Sequence, residues 1–364
     1  MQIKDQTQEQ SKKRLEYIDQ LKGISMLLVI FGHLVIFCSI GNENDFIKNI
    51  VLINMPLFLF LNGLVCSSIK NAWNFIAKTI RKILLPFISW GILITIFRHS
   101  TISDFFHSYW KFGYWYLLVL FEYYMVYVGL EFCYRKLKFF NNIKSYTILL
   151  IIVYFGFRFI TKFIPYEINV YIDYFQFIEY LPYFELGLFL KKFNLTSCFG
   201  NNRYLFNITL LTSIFLYIIW YNIPLNEGRF YEALTICLRI SLILTLLGIF
   251  LNYNYIYDYT RKFHFRLLSN IGRNTLSIYM IQFFLFRYID LHGMCQDLYE
   301  EKNILFFIIL ILIVSILICY ICMIIEKIIN ESSILSFILF GKLSNSHSIT
   351  NRDKIKFSII KGEN

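Results

Sequence analysis

Charge is scarce in this chain. Asp, Glu, Lys and Arg make up 16% of its 364 residues, where a soluble domain usually carries about a quarter. Apolar residues make up 57% and fall in runs long enough to cross a bilayer. No stretch between the runs is long enough for a separate soluble domain, so one membrane domain over residues 1–364 is expected. Catalytic signatures are missing too. There is no phosphate-binding Walker loop, no HExxH, no GxSxG and no dinucleotide fingerprint. The eight cysteines (Cys38, Cys66, Cys133, Cys198, Cys237, Cys295, Cys319 and Cys322) show no metal-site spacing with histidine. They read as small buried hydrophobes, and no metal is expected. No small-residue cleavage site follows the first apolar run, which is therefore expected to stay as a span. No internal repeat points to an inverted-repeat transporter.

What is present is apolar sequence with a regular beat. About ten spans are expected, at 23–40, 47–66, 83–98, 113–131, 145–161, 173–190, 204–222, 231–251, 268–287 and 303–326. The fold class is all-α, a polytopic transmembrane helical bundle. Alternate connections hold 25 Lys and Arg, and the opposite connections hold eight. The positive-inside rule turns that bias into N-in and C-in, with residues 327–364 as a cytoplasmic tail. Within the tail, 334–340 is too short to span and reads as an interfacial helix. The net charge of +11 fits topology signals beside anionic lipid. No basic stripe forms, so nucleic acid is not an expected partner.

Polar groups inside spans are costly and usually face a cavity or a partner. His33 lies in the middle of the first span. Lys22 is eleven residues earlier, which brings it back to nearly the same helix face about 16 Å away. A cation at the inner surface and an imidazole at mid-membrane then share one stripe, which suits an elongated anionic ligand. The imidazole is a general base or a histidine bonded to a neighbouring helix; on sequence the two readings stand level. Asp19 and Lys22 are one turn apart and can pair, with Arg14 adding charge at the same mouth. In the second span, Asn54-Met55-Pro56 and Asn62-Gly63 suggest a kinked packing helix ahead of a substrate contact. Lys78, Arg81 and Lys82 share a helix face that suits phosphate, although taken alone they read as a topology anchor. Glu122, Glu185 and Arg239 are buried by position and can pair with one another. Tyr114, Trp115 and Tyr116 read as an interfacial aromatic belt. His99 and His107 read as exposed loop residues. The loop at 288–302 is acidic.

Together these stretches resemble the acyltransferase-3 family, the multi-pass O-acetyltransferases of bacterial surface glycans. Arg14-Leu-Glu-Tyr-Ile-Asp19-Gln-Leu-Lys22-Gly23 through Gly32-His33 resembles the family's first signature. Met55-Pro56 through Asn62-Gly63 resembles the second. Lys78…Arg81 resembles an arginine-x-x-arginine motif with Lys in first place. Tyr114-Trp115-Tyr116-Leu117 resembles the aromatic stretch, and Asn274-Thr275-Leu276-Ser277-Ile278-Tyr279 the last motif. Two positions depart from the pattern: Gln282 stands where many members carry histidine, and Asn62 where many carry serine. The resemblance implies a cell (inner) membrane location and acetyl-CoA as donor, held by Lys22, Arg14, Lys78 and Arg81. It implies His33 and Asp19 as catalytic residues, with a transient acyl-histidine as a second route. The acceptor, a glycan or lipid-linked sugar, would meet Asn62, Glu122, Tyr114, Trp115, Gln282 and Arg239. A transporter or flippase, or a structural subunit of a glycan-assembly complex, are the competing readings.

Overall fold

The computed structural model describes residues 2–37, 45–136, 142–223, 228–256, 264–288 and 304–343. Among them, every regular element is helical. A helix stands in each of the ten stretches expected to span. These are α1 (Gln2–Phe37), α2 (Asp45–Val65), α3 (Ala72–Thr79) running into α4 (Leu85–Phe97), α6 (Trp115–Lys136), α7 (Ile143–Ile160), α9 (Tyr174–Lys192), α11 (Arg203–Asn222), α12 (Gly228–Ile256), α13 (His264–Arg273) with α14 (Thr275–Leu285), and α15 (Ile304–Asn330). Short helices α5 (Ile102–His107), α8 (Tyr166–Tyr171), α10 (Thr196–Asn201) and α16 (Ser333–Phe340) connect or cap them. Among the described residues, seven helices are long and apolar enough to cross a membrane, and Leu52–Val65 and Thr275–Leu285 are shorter apolar helices. Large apolar side chains point outward in rows, such as Ile152 and Phe155 on α7 and Leu211 and Phe215 on α11. Water would make such rows costly, and lipid does not. Residues 289–303, which hold the acidic loop, and the tail beyond 343 lie outside the described residues.

Two helix crossings without side-chain spacers set the core. Gly63 of α2 and Gly187 of α9 face each other's backbones. A Cβ on Gly187 would sit 2.2 Å from the Phe60 carbonyl oxygen, and one on Gly63 at 2.2 Å from that of Phe184. The second crossing joins α1 to α13, where Gly23 meets Leu268 and Gly272 meets Asp19. Lipid is as apolar as Leu, so association in a membrane rests on such close approach. Gly187→Leu is therefore expected to remove most folded protein from detergent extracts. Gly129→Leu, whose Cβ would enter open space, is expected to leave the yield unchanged. Size-exclusion profiles of the two variants at matched expression check this.

A proline accounts for the join between α3 and α4. Pro86 has no N–H to give the Lys82 carbonyl, and its ring crowds that group. The chain widens into one π-helical turn over Ile80–Leu84, with the Leu85 N–H reaching Ile80 O. At the same end of the bundle, α16 docks on α4. Trp90 Nε1 donates to Leu339 O at 2.9 Å, and Lys342 Nζ meets Glu326 Oε1 at 2.6 Å. The segment expected at the interface is thus a helix with Leu339 and Phe340 buried and Ile334 exposed.

The opposite end carries the connection from α4 to α6. Lys111, Phe112 and Gly113 all have positive φ, and Lys111 is fully buried. Its ammonium donates to Ser108 O at 3.0 Å, Val170 O at 2.6 Å and Asp173 Oδ1 at 3.2 Å. Asp173, just before α9, is itself left-handed at φ 49°. All three ammonium protons are used, so one side chain ties this turn to α8 and α9. Sequence reading placed Lys111 only as an outer-loop charge.

Candidate functional site

A cavity of about 380 Å³ opens at the end of the bundle where α3 and α4 join. That is within the range of small-molecule sites. Each of the five stretches that carry the family resemblance contributes to its wall. Lys22 and Val29 come from α1, and Met55, Phe58 and Asn62 from α2. Lys78 and Lys82 come from the α3–α4 join, Tyr116 and Leu117 from α6, and Thr275, Leu276 and Tyr279 from α14. Three lysines and no carboxylate line it, so it is electropositive. The floor is apolar and aromatic.

Of the residues expected on the α1 stripe, Lys22 lines the cavity and His33 does not. Lys22 and Val29 line the cavity, and His33 continues the same face one turn, about 6 Å, beyond Val29. The imidazole meets the Phe283 ring edge-on, with centroids 5.2 Å apart, and the Phe286 ring at 5.8 Å. Phe283 in turn packs on Tyr114, at 5.2 Å. The aromatic stretch and the last motif hold one another. Tyr114 Oη donates to Met280 O at 2.7 Å, Tyr279 Oη donates to Gly113 O, and the Tyr116 and Tyr279 rings lie 5.3 Å apart. Asn62 Nδ2 donates to Phe58 O at 2.8 Å and to Tyr116 Oη at 2.6 Å. Both amide protons are then used, and the Tyr116 hydroxyl hydrogen is left for another acceptor.

Several expectations need correction. Asp19 does not hold Lys22; its carboxylate accepts from Arg273 Nε at 3.1 Å. Tyr114, Trp115 and Tyr116 are not an interfacial belt, since all three are buried. Tyr114 and Trp115 pack the wall from behind and do not line the cavity, and Trp115 stacks on Tyr180. Arg81 does not line it either, because the π-helical turn sets Lys78 and Lys82 toward the cavity while Gly341 covers the Arg81 carbonyl. Glu122 and Gln282 also lie outside the lining. Glu122 Oε2 and both amide atoms of the fully buried Gln282 have no hydrogen-bond partner among the described residues. Arg239 pairs with neither Glu122 nor Glu185. It pairs with Glu179, Nη1 to Oε1 at 2.9 Å, and lines a separate pocket at the Lys111 end. His107 bonds Tyr171 Oη at 2.8 Å. The Arg14 side chain lies outside the described residues. Among the described residues, no group of His, Cys, Asp and Glu could hold a metal ion.

Lys82, Tyr116 and Tyr279 were not chosen as site residues from sequence. Lys82 had a usable signal, its i, i+4 spacing from Lys78. The two tyrosines lie within the aromatic stretch and the last motif, but only packing shows that they, and not Tyr114 or Trp115, line the cavity.

The acyltransferase-3 model, an acyltransferase domain, matches residues 15–324. No curated protein matches the chain, and no solved structure does. The matched segment begins beside Arg14, ends within α15 and takes in every residue that lines the cavity. The chain therefore belongs to the acyltransferase-3 family and is a membrane acyltransferase.

Proposed function

We propose that this protein moves an acetyl or other short acyl group from acyl-CoA to a hydroxyl of a cell-surface or lipid-linked sugar, with His33 as general base. The observation that carries the reading is the cavity itself. It is lined by Lys22, Lys78 and Lys82, and its lining on α1 ends at Val29, one helical turn short of His33. An acyl-CoA is a cluster of phosphates on a long neutral arm that ends in a thioester, and this charge distribution matches it. The lysines bind the phosphates. The arm lies along the apolar wall toward His33.

At the reacting end, the sugar oxygen attacks the thioester carbonyl while His33 takes its proton. The new C–O bond forms, the C–S bond breaks, and the proton passes from the imidazole to the departing thiolate. Tyr116 is placed to steady the carbonyl oxygen. Its hydroxyl accepts from Asn62, which leaves its hydrogen for a developing negative charge. Asp19 acts as a positioning residue through Arg273. In this reading about ten spans cross the inner membrane with both termini inside, and acyl-CoA enters from the cytoplasm.

The test is transfer of labelled acetyl from acetyl-CoA to glycan in membranes that carry the protein. Transport without any need for acyl-CoA would overturn the reading. Lys22→Ala with Lys82→Ala is expected to raise KM for acetyl-CoA by tenfold or more. Charged hydrogen bonds contribute about 1.5–3 kcal/mol each, and about 1.4 kcal/mol is a factor of ten. A change confined to KM is the mark of lost binding. A fall in kcat alone would remove the lysines from donor binding.

A further inference from the structure

The pocket at the Lys111 end has a volume of about 750 Å³ and shares no lining residue with the cavity. Helix α2 is a common wall, giving Leu52 to this pocket and Met55 to the other. Two ion pairs cross it. Arg158 of α7 holds Glu232 of α12, and Arg239 of α12 holds Glu179 of α9. The charges within it cancel. Around them stand aromatic rings, with Tyr109 and Phe175 about two-fifths exposed at 37% and 42% and tilted at 36° with centroids 6.3 Å apart.

We infer that this pocket binds a neutral saccharide unit of the acceptor, one other than the unit that receives the acyl group. The inference deepens the acyltransferase reading and rests on it. Four features of the pocket carry it. Exposed ring faces suit the C–H faces of a pyranose, which are apolar. Each guanidinium has five N–H donors and each carboxylate about four acceptor sites, so a pair bonded to itself keeps both functions free for hydroxyls. A phosphate or a uronic acid would have to compete with Glu179 and Glu232 for the arginines, and both carboxylates would repel it. The volume accommodates one or two sugar rings. Because the pocket is walled off from the Val29–His33 stripe by α2, its occupant is held and not acylated. A long acceptor chain would be gripped here while another of its units reaches the imidazole.

The test uses the full-length protein in lipid nanodiscs on an array of neutral, acidic and phosphorylated oligosaccharides, with acetyl-CoA binding measured in parallel. Retention is expected on neutral spots. Phe175→Ala and Glu232→Gln are each expected to lower it at least tenfold, with acetyl-CoA binding unchanged. Phe175 is exposed, so its variant should keep the wild-type unfolding temperature and serves where Glu232→Gln is unstable. The inference is overturned by retention only on acidic or phosphorylated spots, by displacement with soluble phosphocholine, by neutral retention indifferent to both variants, or by no retention. Loss of the glycan result with intact acetyl-CoA binding and transfer would remove this pocket alone. Absence of acetyl-CoA binding in the wild type would instead remove the acyltransferase reading.

Discussion

Exchange of His33 for glutamine is expected to lower acyl transfer by about 10²–10⁴-fold, the usual contribution of a positioned general base, and to leave acetyl-CoA binding intact. Glutamine keeps the size and hydrogen-bonding capacity of histidine but cannot take a proton at neutral pH. The lysines proposed to bind the donor are remote from the imidazole, Lys22 being about 16 Å away along α1, so their grip should not notice the change. The rival reading, a histidine held for packing, also has support, because the ring sits edge-on to Phe283 and Phe283 braces Tyr114. The two readings diverge in what they move. A packing histidine would cost stability and expression, and the surviving folded protein would transfer acyl groups at the wild-type rate. A base would cost turnover at unchanged unfolding temperature. Labelled transfer per folded molecule, with acetyl-CoA affinity measured beside it, separates them. Equal transfer by wild type and His33→Gln would remove His33 from the chemistry.

The largest stability effect is expected at Lys111. Its ammonium is the only described cation on the buried Asp173 carboxylate, and both side chains are fully buried. Removing one partner of such a pair typically costs about 3–5 kcal/mol, because the other charge is left stranded. Lys111→Met should behave this way, and its cost should depend on pH. Burial pushes the Asp173 carboxyl up from its ordinary 3.8 to about 7 even with Lys111 beside it. Without the ammonium it is pushed further. The folded state then binds a proton that the unfolded chain has already lost, so stability is greatest below about pH 4 and falls as pH rises from there through the raised folded-state value. Lys111 is itself lowered by burial against the pull of Asp173, which removing the side chain abolishes. The variant should therefore unfold at a temperature closest to wild type at pH 5 and furthest below it at pH 8. Adding Asp173→Asn, which tolerates the left-handed backbone, should restore most of the loss at pH 8. Thermal unfolding in detergent at the two pH values reads both changes. A pH-independent loss would mean that the strained turn, and not the stranded charge, is what Lys111 supports.

Much of the architecture follows from sequence alone. Long apolar runs have one solution in lipid, a helix whose backbone satisfies itself, so helices appear where the runs are. The α1 stripe was legible because an α-helix repeats after eleven residues; Lys22, Val29 and His33 share a face in any straight helix. Gly63 was legible as a packing residue for the same local reason. Pairing across helices was not legible. Arg239 had two buried acidic candidates by position, Glu122 and Glu185, and only the placement of α12 against α9 gives it Glu179 instead. Asp19 had a cationic neighbour one turn away on its own helix, yet the close α1–α13 crossing at Gly272 brings Arg273 to it instead. Arg81 and Lys82 were equivalent on a regular helix. The widened turn imposed by Pro86 breaks that equivalence and gives the cavity Lys82.

The sequence by itself determined the helices, the membrane and the line from Lys22 to His33, because helical periodicity and backbone hydrogen bonding act within a single segment. Tertiary structure decided which motifs share a cavity, which charges cancel and which tyrosines line that cavity, because those depend on how separate helices pack, and no single segment contains that information.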